Sequence, residues 1–347
     1  MAGGEEETRI DIPAESRVDE GPQELGFNEF DMKNIPIDAT ILVFGRRKSG
    51  KGVLMLDMMF HLRKRLDTVV GMNPTEAGSK TLAPFTPPAF IYDDFDEQKL
   101  REIVMLQVKA VSSSTLRGRR RYRRIAIVLD DISSDTRRMK SEVIRDIFLQ
   151  GRHRKILFIA AIQNMMNFPS DLRDCTDLVF AFRTPIAADR QRLYEHYFGV
   201  FETYSVFDKV FRNLTEGYGC MVLDNRSRTM DPTRCIYYYE ADLRPVADYL
   251  GLDLGADLRP EEVVDAVQRH LIDVRPIEVG DPWFWKASED RMRKTVDDFD
   301  PEAIVKHGIG GPAVGGGGAR RINPRGSIRV TKRRKRRAGE DDGESVM

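Results

Sequence analysis

Between residues 36 and 240 the chain alternates short, continuous apolar runs with longer stretches whose apolar positions recur every three or four residues. The runs at 40–44, 68–71, 125–129, 155–162, 178–182, 220–223 and 235–239 are rich in β-branched and aromatic residues. They lack the in–out alternation of a half-exposed strand, so they predict strands buried on both faces. Helical spacing follows at 53–60, 96–111, 139–149, 187–198 and 207–214. In 96–111, for example, Leu100, Ile103, Val104, Gln107 and Val108 fall roughly on one side. Buried strands separated by helices predict an α/β fold, a mainly parallel sheet with helices on both faces.

The pattern changes at both ends. Residues 1 to about 35 are acidic, hold Gly and Pro, and have no apolar periodicity, which predicts a flexible arm. Beyond residue 240, stretches 243–250 and 260–271 read as amphipathic helices, the second with Pro260 at its first position. They predict a small helical appendix over 241–307, for which Trp283 and Trp285 are candidate anchors. Residues 308–347 are Gly-rich, then basic, then acidic, and are expected to stay disordered. The organisation is therefore arm 1–35, main domain 36–240, appendix 241–307 and tail 308–347.

The 347 residues carry zero formal net charge, so overall charge does not indicate a partner, but the charges are segregated. Arginine-rich blocks lie at 116–124 and 320–337. Three cysteines, Cys175, Cys220 and Cys235, have no metal-ligand spacing, which predicts reduced thiols in an intracellular compartment. The first residues lack the basic and apolar regions of a secretory signal, and the apolar run 156–162 is far too short to span a bilayer. These features predict a soluble intracellular protein.

The candidate chemistry begins where the first apolar run ends. Gly45, Gly50 and Lys51 fit the G-x-x-x-x-G-K frame of a P-loop. In that frame glycines let backbone N–H groups curl around a β-phosphate while the lysine ammonium reaches the β/γ oxygens. Residues Gly45, Arg46, Arg47, Lys48, Ser49, Gly50, Lys51, Gly52 and Val53 are the expected nucleotide contacts. The helix that follows would turn its N-terminal partial charge toward the same phosphates. One position breaks the frame: Gly52 stands where a P-loop has the Ser or Thr that holds Mg²⁺. Water can replace that ligand, since Mg²⁺ readily keeps several waters, and Ser49 is a geometrically poorer substitute. Nucleotide binding is thus a firmer expectation than fast turnover.

A P-loop also needs a carboxylate at the end of a neighbouring strand. The run 125–129 delivers Asp130 and Asp131: Asp130 for the metal, Asp131 to orient or deprotonate the attacking water. Alone, this pair is more often a strand-end turn or helix cap; with a P-loop about 80 residues upstream, hydrolysis is the favoured reading. The strand 155–162 delivers an amide, Gln163, suited to sensing the γ-phosphate. Arg152, just before that strand, is placed to project across a subunit boundary as an arginine finger, or to sit in a solvated positive turn with Arg154. His153 has no nucleophile or metal partner in view and reads as an orienting or packing histidine rather than a base.

From Gly151 through Gln163, then Pro169 to Arg173 and Thr176 to Arg183, the chain resembles the DNA-packaging ATPases of large double-stranded DNA viruses. These form the poxvirus-type branch of the FtsK–HerA P-loop translocases. Further matching stretches run Asn73 to Glu76, Ile91 to Asp93, Arg192 to Tyr197, Phe207, and Thr215 to Asn225, so the resemblance covers about residues 36–240. It implies Lys51 as the P-loop lysine, Asp130 as the metal aspartate, Asp131 as the acidic residue of hydrolysis and Gln163 as the sensor amide. Arg152 or Arg173 would be the finger. It further implies ATP with Mg²⁺, a homo-oligomeric ring, hexameric in the family, that threads double-stranded DNA into a preformed capsid, and capsid or portal partners. The implied setting is the virus factory or nucleus of an infected cell, or the virion.

Two other readings stay open: a P-loop kinase, against which no lid with paired arginines is visible, and a nucleotide-binding ring or scaffold with little turnover, which Gly52 permits. The arginines at 117, 119, 120, 121, 123 and 124 read equally as a DNA-facing loop or a solubilising one. The basic run 332–337 reads as a nuclear-localisation signal or a nucleic-acid arm. Tyr237, Tyr238 and Tyr239 read as strand packing.

Overall fold

The computed structural model describes residues 26–116, 124–130, 136–163, 168–255 and 257–273. Asp131, the arginines between 117 and 123, Trp283, Trp285, residues 1–25 and the tail lie outside them. In chain order the elements are β1 (Asn28–Glu29), β2 (Thr40–Phe44), α1 (Lys51–Leu62), β3 (Thr68–Met72), α2 (Glu76–Leu82), β4 (Ile91–Tyr92) and α3 (Glu97–Leu116). They continue with β5 (Ile125–Asp130), α4 (Thr136–Met139), α5 (Glu142–Gln150), β6 (Ile156–Ile162), β7 (Leu178–Phe182), α6 (Ala187–His196) and α7 (Tyr204–Leu214). The last are β8 (Cys220–Asp224), α8 (Pro232–Cys235), β9 (Ile236–Tyr239), α9 (Arg244–Tyr249) and α10 (Pro260–Asp273).

The strands form one sheet in the order β1-β9-β8-β7-β2-β6-β5-β3-β4. Pairing is parallel except at β8, which runs antiparallel to both β7 and β9. The mainly parallel α/β expectation holds, and its physical basis is visible in the burial. Strands β2, β3, β6 and β7 are buried at every position, which requires cover on both faces. Leu42, Val70, Ile127 and Phe158 face one core with α3, α5 and α7. Their neighbours Ile41, Val69, Val128 and Ile159 face a second core with α1, α9 and α10.

Three expectations need correction. The arm does not extend to residue 35: Asn28 and Glu29 pair with Tyr237 and Tyr238 of β9, and Phe30, Met32 and Ile35 are buried. A two-residue strand is too short to leave a periodic signature, and its register comes from β9. The helix expected over 139–149 is broken into α4 and α5, because Ser141 takes an extended conformation (φ −61°, ψ 147°). Helix α2 was not anticipated at all; its Gly78 and Ser79 are weak helix formers, and the Thr75 side chain caps it by accepting from Gly78 N.

The appendix helices α9 and α10 form where expected. Val246, Ala247, Val263 and Val267 are buried in the same core as α1, so these helices complete the second face of the sheet. Tyr239 fastens this face. Its hydroxyl donates to Asp57, a fully buried aspartate of α1, whose other oxygen lies 3.4 Å from His61 Nε2. Burial, and then the neighbouring Asp57, push the Tyr239 hydroxyl far above its ordinary pKa, so it stays a donor. Tyr239→Phe should destabilise the fold by about 1–3 kcal/mol by leaving a buried carboxylate oxygen without its donor. Urea unfolding at neutral pH checks this, and a change below about 0.5 kcal/mol would assign the contact no structural weight. Of the other tyrosines, Tyr237 packs edge-on against Phe30 (5.7 Å), while Tyr238 is 38% exposed.

Candidate nucleotide-binding site

The loop between β2 and α1 is shaped by two left-handed residues, Lys48 (φ 62°) and Gly50 (φ 102°). Such alternation turns successive backbone N–H groups into one concavity, a nest for an anion. Gly45 N donates to Ile162 O at 3.2 Å, tying the start of the loop to the end of β6. Gly45 has no room for a side chain: a Cβ there would stand 2.3 Å from Ser49 Oγ and 3.1 Å from Phe182 Cβ. Lys51 Nζ donates to Gly45 O at 2.5 Å and Arg46 O at 3.0 Å, which holds the ammonium over the loop. This is the cradle a triphosphate requires, with the first turn of α1 behind it.

The sheet brings the other groups alongside. Strand β6 lies between β2 and β5, with Phe44 opposite Ile162 and Asp130 opposite Ala161. The parallel ends therefore present Lys51, Asp130 and Gln163 side by side, and all three line one cavity of about 720 Å³. That volume suits a nucleotide-sized ligand. Residues 46–48 and 50–53 line it too, and Gly45 lines an adjoining cavity of about 280 Å³ that shares Gln163. The cavity is also walled by Tyr218, beside Gly50, and by Val264 and Gln268 of α10.

Asp130 is oriented by a residue to which the sequence assigned no role. Asn73, 1% exposed at the end of β3, donates from Nδ2 to Asp130 Oδ2 at 3.0 Å. Its own carbonyl accepts from Thr75 N (2.9 Å) and Thr75 Oγ1 (2.8 Å), which locks the amide's orientation. Only the β3–β5 pairing brings positions 73 and 130 together. Helix α10 was missed in the same way: its stretch reads as an amphipathic helix, and nothing local marks it as a cavity wall.

The donor set fits Mg²⁺ held by one carboxylate, waters and phosphate oxygens. Asp130 would supply the carboxylate, and among the described residues there is no cluster of three or more His, Cys, Asp or Glu that would hold a metal without phosphates. Ser49 does not supply the missing hydroxyl. Its Oγ is buried against Gly45 with no hydrogen-bond partner.

The structure separates Arg152 from this cavity. Arg152 precedes β6 and pairs with Asp177 at 2.5 Å, while Asp177 accepts from Thr40 N at the start of β2. The length of β2, about 16 Å at 3.3 Å per residue, lies between that point and the P-loop. The Arg152 side chain is 64% exposed and is not among the residues lining this cavity. Arg173 lies beside Tyr197 and His196. Burial raises the pKa of Tyr197 and, with Arg173 next, lowers that of His196. Arg154 is held by Asp146 and Gln107. Arg124, the described member of the first arginine block, pairs with Asp67 at 3.2 Å and serves strand β5.

No protein-family model matches this chain. Among curated sequences it is 28% identical over 204 residues to uncharacterized protein 088R of Invertebrate iridescent virus 3, covering 58% of this chain and 75% of that one. It is also 28% identical over 217 residues to uncharacterized protein L437 of Acanthamoeba polyphaga mimivirus, covering 61% and 76%. Similar solved structures include the genome packaging NTPase B204 of Sulfolobus turreted icosahedral virus 2 with AMP (TM-score 0.42, 13% identity, 59% of this chain and 98% of that one). Another is EssC ATPases 2 and 3 of Geobacillus thermodenitrificans (TM-score 0.41, 14% identity, 70% and 44%). By sequence the chain is thus a relative of proteins of large DNA viruses, and its parallel strand ends and the geometry of residues 45–52 are those of a P-loop fold.

Proposed function

We propose that this chain is an ATP-driven motor that moves double-stranded DNA into a viral capsid. It would hydrolyse ATP at the subunit interfaces of a homo-oligomeric ring. The observation that carries the ATPase reading is the convergence of Lys51, Asp130 and Gln163 on one cavity. The packaging reading is supported by the motif order along residues 36–240 and by sequence relatives in large DNA viruses. Loop N–H groups and Lys51 would bind the phosphates, and Asp130, oriented by Asn73, would hold Mg²⁺. When bound, the ion would supply neutralisation of the phosphate charge. Asp131 orients or deprotonates the attacking water, and Gln163 reports the γ-phosphate to the adjoining loop. Partners would be DNA, further copies of the chain, and capsid or portal proteins. No helix among the described residues is long and apolar enough to cross a membrane.

Phosphate release measured with and without duplex DNA tests this reading. A motor gives DNA-stimulated release. Absence of release would favour the nucleotide-binding scaffold that Gly52 permits, and dependence on a small acceptor would mark a kinase. Arg152 is the proposed finger, supplied in trans. Arg152→Ala and Asp131→Asn chains should each lose hydrolysis, the former by 10³-fold or more. Mixed together they should regain a measurable fraction, because some interfaces then pair an intact arginine with an intact acid. No recovery would leave Arg152 to its ion pair with Asp177 and pass the role to Arg173.

A further inference from the structure

Gly52 removes a hydroxyl from the cation site, and the fold returns one from another helix. A Cβ placed on Gly52 would meet Thr81 Oγ1, on α2, at 3.8 Å and nothing closer. A hydroxyl at position 52 would stand one single-bond length, about 1.5 Å, from that Cβ. Thr81 Oγ1 therefore falls short of the missing oxygen by roughly 2.3 Å or more, of the order of one hydrogen bond. Thr81 lines the same cavity as Lys51, Gly52 and Asp130.

The hydroxyls of Ser49 and Thr75 are turned elsewhere. Ser49 Oγ is buried against Gly45, and Thr75 Oγ1 is engaged with Asn73 Oδ1 at 2.8 Å and Gly78 N at 3.3 Å. Thr81 Oγ1 donates its hydrogen to Ala77 O at 3.0 Å. Its lone pairs are what it offers the cavity, which makes it an acceptor. A water bound to Mg²⁺ is a donor, and Mg²⁺ keeps several.

We propose that Thr81 is a positioning residue for the divalent cation. It accepts a hydrogen bond from the metal-bound water that occupies the place of the missing position-52 hydroxyl. This rests on the P-loop reading of residues 45–51. Outer partners of this kind are commonly worth 10- to 100-fold in metal affinity.

The test uses the full chain with AMPPNP, and Mn²⁺ as the probe, titrated by the EPR signal of the free ion. Thr81→Val, which keeps the shape and loses the hydroxyl, should weaken Mn²⁺ binding to the nucleotide complex about tenfold. Its AMPPNP affinity in EDTA should be unchanged, and Thr81→Ser should behave as the unmodified chain. In a Gly52→Ser background a direct ligand replaces the water, so Thr81→Val should then have no effect. That non-additivity separates metal positioning from a merely structural role. Equal Mn²⁺ affinity with and without the Thr81 hydroxyl would overturn the proposal, as would equal losses in both backgrounds. Failure of the unmodified chain to bind AMPPNP in EDTA would instead overturn the P-loop reading beneath it.

Discussion

Lys51→Ala is expected to weaken nucleotide binding on the order of 100-fold, about 3 kcal/mol, the scale for removing one partner of a buried, hydrogen-bonded charge pair. Two losses combine. The ammonium that meets the phosphate charge disappears, and so do its bonds to Gly45 O and Arg46 O, which pin the loop around that ammonium. Fold stability should change little, because Lys51 is the first residue of α1 and the core begins at Leu54. Calorimetric titration with AMPPNP, alongside a thermal melt, separates the two quantities. Lys51→Arg should also bind poorly, since a planar guanidinium does not match the compact ammonium this loop encloses. Retained affinity in Lys51→Ala would mean that no phosphate is gripped here.

Gly78→Ala is the second large effect, and it acts on Asp130 from a distance. A Cβ on Gly78 would stand 1.5 Å from Asn73 Nδ2 and 2.3 Å from its Cγ. The Asn73 amide must then leave the position from which it bonds Asp130 and accepts from Thr75. Overpacking of this kind costs about 1–3 kcal/mol of stability. Losing the orienting partner of a metal carboxylate should lower divalent-cation affinity in the nucleotide complex by a further tenfold or more. Gly199→Ala is the control, because its Cβ would meet only Tyr194 O, at 3.9 Å. Should Gly78→Ala match that control in both stability and Mn²⁺ affinity, Asp130 is not held through Asn73.

The two substitutions differ in how visible they are before the fold is known. Lys51 belongs to a contiguous motif: the residues that shape the loop are neighbours in the chain, so their spacing carries the geometry. Gly78 lies in a helix that the sequence pattern did not mark, and its importance comes from contact with Asn73, five residues earlier and across a turn. Asn73 in turn matters only because β3 pairs with β5. Strand β1 was hidden for a related reason: two residues hold a register only because β9 lies beside them. Arg152 shows the reverse case, since a motif-like position turned out to face away from its own cavity, at the opposite end of the strands.

Sequence alone determined the alternation of buried strands with helices, the phosphate loop, and the carboxylate and amide that end their strands, because each is written in residues one strand or one turn apart. Tertiary structure decided which distant side chains stand beside the loop and the strand-end carboxylate: Asn73, just after β3, against Asp130, Thr81 of α2 near Gly52, and Tyr218 and α10 in the cavity wall. A parallel sheet gathers the C-terminal ends of strands that are 32 to 118 residues apart, among Phe44, Asp130 and Ile162. Helices fill both of its faces wherever buried area is greatest. Those contacts depend on packing across the sheet, and packing leaves no local pattern in the order of the residues.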